Sequence, residues 1–148
     1  MKIISRNKTA NYNYFIEDKY EAGIKLVGSE IKSIRLGKVS LNEAFITFKD
    51  NEAFVSNMHI ATYDQANRYN HQETRPRKLL LHKNEILKLF SKSREQGYSV
   101  IPLSLYLKEG LAKVEIALAK GKKDYDKRED LKKKDQDMRL KKTVNRYK

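Results

Sequence analysis

The sequence predicts a mainly β protein: a six-stranded antiparallel barrel with short flanking helices and a basic carboxyl-terminal tail. Three observations carry this expectation. Short runs alternate apolar and polar residues, turn-forming residues separate those runs, and basic charge rises sharply after residue 119. Alternation with period two sends successive side chains to opposite faces, as in a strand with one buried side.

The first pair of strands is expected in "YNYFIED", residues 12–18, and "AGIKLVG", residues 22–28, both β-branched and aromatic in character. "SEIKSIRLG", residues 29–37, reads as a short helix. Ser29 serves as N-cap, Ile31 and Ile34 share a face, and Gly37 stands where a C′ glycine is expected. "EAFITFK", 43–49, and "EAFVSNM", 52–58, are joined by Asp50-Asn51, residues that tolerate the left-handed conformation of a tight hairpin. A second helix is expected over "NEILKLFSKSREQG", 84–97, capped by Asn84, burying Ile86, Leu87 and Phe90 and ending at Gly97. "SVIPLSLYL", 99–107, places Ile101, Leu103, Leu105 and Leu107 on one face, and "LAKVEIAL", 111–118, does the same with Val114, Ile116 and Leu118. "KEG", 108–110, links them as a short loop. Pro102 cannot donate to a ladder and belongs where its strand is unpaired. Six strands in hairpins, with a helix between the fourth and fifth, suggest a small closed sheet of the OB type. A fold alone does not give a function.

At 148 residues the chain suits one compact domain with a tail: a body over 1–119 and a basic segment over 120–148. The formal net charge is +13, and a partner that neutralises it is polyanionic, with nucleic acid leading. A membrane is the competing polyanion. No apolar run reaches the length of a spanning helix and no signal-peptide pattern opens the chain, so a soluble cytoplasmic monomer is expected. Zero Cys excludes disulfides and thiolate metal sites.

Residues 120–148 hold thirteen Lys and Arg against six Asp and Glu. Their large apolar residues, Tyr125, Leu131, Met138, Leu140, Val144 and Tyr147, fall on two opposed sides of a helix, so no wide stripe faces a core. Such a segment is unstructured until something holds it and helical once held, with Glu129–Lys133 and Asp130–Lys134 as i, i+4 pairs, and the plainest role for it is a solubilising tail.

The sequence is poor in catalytic signatures. His59, His71 and His82 match no local zinc spacing, and neither a P-loop nor a GxGxxG fingerprint is present. No cofactor, metal or enzymatic activity is expected. The enzymatic alternative is a metal-free nuclease using His59 or His71 with a Lys. The informative stretches are "NKTANYNYF", 7–15, and "NRYNHQETRPRKLLLHKNE", 67–85, where Lys and Arg interleave with Tyr and Asn, a combination suited to phosphates and bases. Arg75, Arg77 and Lys78 cluster at Pro76 with Glu73 as their acidic neighbour and are expected to touch RNA.

Four blocks, "YFIEDKYEAGIKLVGSEIKSIRLGKVSL" at 14–41, "NHQETRPRKLLLHKNEI" at 70–86, "GYSVIPLSLYLKEGLAKVEIALAKGKKDYDKR" at 97–128 and the basic tail after them, resemble the small protein B family. That family binds tmRNA in bacterial trans-translation. The resemblance implies a non-enzymatic RNA-binding role, with the body on the tRNA-like domain of tmRNA and the tail entering the decoding centre and empty mRNA channel of a stalled ribosome, against small-subunit rRNA. It implies tmRNA contacts at Asn7, Glu21 and a leucine of "KLLL", Leu81 or its neighbour Leu80. Lys32 and Arg35, in the first block, join Arg75, Arg77 and Lys78 in the expected tmRNA set. For Glu21 the chemistry is either accepting hydrogen bonds from base or ribose, orienting a nearby Lys or Arg, or anchoring its own strand. In the tail, Lys122, Lys123, Tyr125 and the triplet Asp126, Lys127, Arg128 are implied ribosome contacts, with Tyr125 able to stack on a base. The competing reading is a general single-stranded RNA-binding or ribosome-associated OB protein.

Overall fold

The computed structural model describes residues 1–63 and 70–123. Its elements run β1 (Lys2–Arg6), α1 (Ala10–Asn13), β2 (Tyr14–Ile24), α2 (Gly28–Arg35), β3 (Val39–Ser40), β4 (Phe45–Lys49), β5 (Glu52–Ser56), β6 (His59–Ile60), β7 (Arg77–Leu80), α3 (Lys83–Ser93), β8 (Tyr98–Lys108) and β9 (Leu111–Gly121). Seven strands form one antiparallel sheet in the order β1-β8-β9-β2-β7-β5-β4, and β3 pairs with β6 separately.

The expected six-stranded closed barrel is therefore corrected to an open, curled, seven-stranded sheet. The stretches expected as strands at 12–18 and 22–28 are one strand of 11 residues, bent by a register shift between Ile16 and Lys19. Strands β1 and β7 bring the number to seven. The sheet curls until β4 lies near β8, but no ladder joins them, and β4 stays an edge strand.

The hairpins follow their turn residues. Asp50 and Asn51 both take positive φ, 53° and 63°, the pairing that lets a two-residue turn match strand twist. Glu109 and Gly110 do the same between β8 and β9, at 52° and 79°. Helix α2 ends at a glycine with positive φ, Gly37, where the Gly37 amide donates to Ile34 and the Lys38 amide to Ser33. Those two bonds make the Schellman closure. Its start differs from expectation. Val27 is the N-cap and its amide donates to Glu30 Oε1 at 2.9 Å, while Ser29 turns inward to His71 Nδ1 at 2.8 Å.

The core lies inside the curl. Ala22 and Ile24 of β2, Val100 and Leu105 of β8, and Val114, Ile116 and Leu118 of β9 meet Ile34 of α2 and Ile86 and Leu89 of α3. Leu87 and Phe90, expected in that core, are exposed at 45% and 40%. The helix begins two residues earlier than expected, capped by His82 and not Asn84, and its inward pair is Ile86 and Leu89. Phe90 instead meets Phe48 edge to face at 5.7 Å. On the outer surface of the sheet, Ala10 of α1 caps a small cluster with Ile101 and Ala119.

Candidate nucleic-acid interface

The same alternation that buries Ala22 and Ile24 turns Lys19, Glu21 and Gly23 of β2 outward. Register then fixes their neighbours. Glu21 stands opposite Glu115 and Gly23 opposite Lys113 of β9, while Ser104 and Tyr106 of β8 stand opposite Glu115 and Lys113 on the other side. Two carboxylates face each other across a strand pair, which is unfavourable unless donors intervene. They do. The Tyr106 hydroxyl reaches across β9 and donates to Glu21 Oε2, and Lys108 Nζ lies 3.6 Å from the same oxygen. The Tyr106 hydrogen bond holds the Glu21 carboxyl below its usual range, assisted by Lys108 and Lys113 and opposed by partial burial. Burial, Glu21 and Glu115 push the Tyr106 hydroxyl well above the usual phenolic range, so it stays a donor.

Asn7 closes the other end of this surface. Its amide donates to Leu103 O at 2.8 Å and its Nδ2 to Pro102 O at 3.1 Å, at the point where the β8–β9 register shifts. Pro102 sits beyond the reach of β1, which pairs β8 only from Ser104 to Leu107. Asn7, Glu21, Arg6, Lys19, Ser104 and Tyr106 thus line one cleft of about 500 Å³. A second concavity of about 350 Å³ adjoins it through Lys113 and Gly23, and holds Lys25, Arg35 and Leu80. Gly23 allows that approach, because a Cβ there would stand 3.2 Å from the Leu80 Cβ. Cations around a fixed carboxylate and a phenol can bind phosphate, ribose hydroxyls and base edges together.

Of the residues expected from sequence, Asn7 and Glu21 share the cleft and Arg35 lines the adjoining concavity. In "KLLL", Leu79 is buried, Leu81 packs partly against the core, and Leu80 is the exposed one at 55%. Lys32 lies on the outer side of α2 with its Nζ 5.3 Å from the Tyr63 ring centre. Of Arg75, Arg77 and Lys78, the structure corrects Arg77. Arg77 has no exposed surface, and donates through Nε to Glu30 Oε2 and through Nη1 to Met58 O at 2.6 Å. Arg75 donates to the other oxygen of the equally buried Glu30, and Lys78 pairs with Glu52 at 2.9 Å. These charges have acidic partners remote in sequence, which the local pattern does not display. Arg77 is a core residue, not a surface one.

Lys122 continues from β9 with its amide on Asn13 O at 2.9 Å and its Nζ on Asn11 O at 2.7 Å. Lys123 is exposed, while Tyr125, Asp126, Lys127 and Arg128 lie outside the described residues. His59 pairs with Glu73 at 2.9 Å, and His71 bonds Ser29 and the Ile60 carbonyl. Among the described residues no group of three or more His, Cys, Asp or Glu could hold a metal ion, and no helix is long and apolar enough to cross a membrane. The sequence reading missed Arg6, Lys19, Tyr106 and Lys108. Alternation around "KEG" already places Tyr106 and Lys108 on the face opposite Leu105 and Leu107, but nothing local points that face at Glu21.

Comparison with known proteins adds four findings. The family model described as "SmpB protein" matches residues 4–146. An SsrA-binding protein of Geotalea uraniireducens is 62% identical over 134 residues, covering 90% of this chain and 89% of that protein. One of Bacillus subtilis is 58% identical, covering 90% and 86%. A solved structure described as "tmRNA-SmpB: a journey to the center of the bacterial ribosome" superposes with a TM-score of 0.68 at 43% identity, covering 80% of this chain and 84% of that one.

Proposed function

The chain belongs to the SmpB family, and from that membership we propose that it binds tmRNA and brings it to stalled ribosomes for trans-translation, in the cytoplasm where ribosomes work. The body grips the tRNA-like domain of tmRNA with the cleft between β2, β9 and β8. The observation that carries this is the convergence of Asn7 and Glu21, from different elements, on one cationic cleft. Glu21 acts there chiefly by orientation: it holds the Tyr106 hydroxyl and the Lys108 ammonium toward the cleft and keeps one oxygen for a ribose or base donor. Leu80 supplies an apolar contact in the adjoining concavity, in place of Leu81. Arg35 and Lys32 lie on the outer side of α2 as further phosphate contacts. No catalytic step is required.

The segment 120–148 is the ribosome-sensing part. Basic charge without a core-facing stripe lets it order along an RNA-lined channel, where message and tail compete for the same space. Tyr125 stacks on a base there, with Lys122, Lys123, Asp126, Lys127 and Arg128 around it.

The test separates the two parts. A chain ending at Lys123 keeps β9 and the Lys122 anchors on Asn11 and Asn13. It should bind the tRNA-like domain within a few-fold of the full chain while losing tagging on stalled ribosomes. A large loss of tmRNA affinity rejects the division. Equal affinity of the full chain for homopolymer RNA and for the tRNA-like domain would favour the general single-stranded RNA reading.

A further inference from the structure

A second cluster of exposed rings and cations stands at the other end of the same strands, on the far side of Asn7 and Ala10 from the Glu21 cleft. Phe15 of β2, Lys120 of β9 and Tyr98 of β8 occupy one row, since Lys120 is the register partner of both rings. Directly paired residues project to the same side, so Phe15 and Tyr98 flank Lys120 on neighbouring strands. The row is extended on both flanks. Lys122 Nζ lies 4.9 Å from the Phe15 ring centre, and Lys92 and Lys120 lie 5.7 Å and 5.9 Å from that of Tyr98. Beyond it, the Arg94 guanidinium lies 5.6 Å from the Phe90 ring. Phe15 and Phe90 are 45% and 40% exposed, although phenylalanine usually seeks the core. Tyr98, Phe90, Phe45 and Tyr14 share a groove of about 720 Å³ that runs along the gap where β4 fails to pair with β8.

Two acids moderate the charge: Glu17 accepts the Tyr98 hydroxyl at 3.2 Å, and Glu95 lies 3.6 Å from Lys92. Lys120 and Arg94 form no ion pair among the described residues. An apolar partner would strip water from these ammonium and guanidinium groups and offer nothing in its place. A double helix presents no base faces to a ring. What suits both features at once is an unpaired, anionic, flat-faced ligand.

We propose that Phe15, Tyr98 and Phe90, with Lys92, Arg94 and Lys120, form a stacking platform for unpaired nucleobases of single-stranded RNA, distinct from the cleft that takes folded RNA. The cations now lying over the rings move to the phosphates when bases take their place, so the rings are kept partly covered until RNA arrives. The platform adjoins the point where the chain leaves β9 at Gly121.

The experiment uses the full chain and a short oligouridine carrying 4-thiouridine. In wild type, ultraviolet crosslinks should map to peptides containing Phe15, Tyr98 or Phe90. Phe15→Ala should weaken binding about 5- to 150-fold, the loss expected from one stacked ring, with the folded tRNA-like domain still bound within two-fold. Phe15→Leu, which keeps an apolar side chain without a ring, guards against misfolding and should lose affinity to a similar degree. Changing Lys92 and Lys120 to Gln should lower the slope of log affinity against log salt by about 0.7 for each phosphate contact removed. Crosslinks confined to residues 124–148, or oligouridine affinity unchanged in both Phe15 variants, overturn the platform. Displacement of the RNA by an Asp- and Glu-rich peptide whose own binding ignores Phe15 would also overturn it, in favour of a protein partner.

Discussion

Arg77→Met should unfold the protein far more readily than it should weaken RNA binding. The Arg77 side chain is fully enclosed and donates to Glu30 Oε2, Met58 O, Gln72 O and Glu73 O. Methionine fits the volume but supplies none of those donors. It leaves the carboxylate of Glu30, itself without exposed surface, to Arg75 and the Val27 amide alone. Breaking a buried pair from one side costs about 3–5 kcal/mol, a large part of the 5–15 kcal/mol typical of a domain. In equilibrium urea unfolding, with a slope near 2 kcal/mol/M, the midpoint should fall by about 2 M. Removing both charges, as Glu30→Gln with Arg77→Met, should restore part of that loss. Acid provides a second readout. Burial opposes the charge on both partners, but on Glu30 the donors Arg75, Val27 and Arg77 outweigh it and hold the carboxyl below its ordinary value of 4.5; on Arg77 burial prevails and lowers the guanidinium, which still stays charged. A depressed carboxyl contributes stability above its unfolded value and loses it as pH falls toward the folded one. Glu30→Gln should therefore flatten the fall in stability below about pH 4.5. A midpoint shift under 0.5 M for Arg77→Met, accompanied by a shallower salt dependence of RNA binding, would refute this reasoning and return Arg77 to the RNA surface.

Tyr106→Phe keeps the ring and removes the donor to Glu21, so the Glu21 carboxyl should rise toward its ordinary value and Lys108 should lose its fixed partner. Affinity for the tRNA-like domain should drop, and its acid limb should move to higher pH, as read by filter binding across pH 4–7; an unchanged profile would leave Glu21 acting without Tyr106. Glu109→Asn replaces a residue held at φ 52° by one that accepts the left-handed region, giving an Asn-Gly turn before β9. Thermal melting should show a gain of about 0.5 kcal/mol.

What could be read from the chain alone was what neighbouring residues decide. Asp50-Asn51 and Glu109-Gly110 dictate their turns by backbone preference, so the two hairpins were legible, as was the Gly37 helix stop. Strands β1 and β7 exist because β8, β2 and β5 offer them a ladder, and nothing within "KIISR" or "RKLL" announces that. The same distinction governs the site. Arg77 is 47 positions from Glu30, and "TRPRK" looks like a surface cluster until the fold closes over it. Glu21 was identifiable through family likeness, whereas its action through Tyr106 depends on a contact 85 positions away. Ser29 looked like an N-cap by residue type, but His71, 42 positions on, claims its hydroxyl.

A formal charge of +13 counts cations already engaged by carboxylates. Arg75 and Arg77 hold Glu30, and Lys78 holds Glu52. Around the Glu21 cleft the cations left to face RNA are Arg6, Lys19, Lys108 and Lys113. Each phosphate neutralised contributes about 0.7–0.9 to the salt slope, so these four with Lys32 and Arg35 of α2 should give a chain ending at Lys123 a slope of about −5 on the tRNA-like domain. The full chain on the ribosome, adding tail cations, should be steeper. A slope near −7 for the shortened chain would require Arg75, Lys78 or the aromatic platform to share the folded RNA, and the separation of surfaces drawn from Glu30, Glu21 and Phe15 would fail.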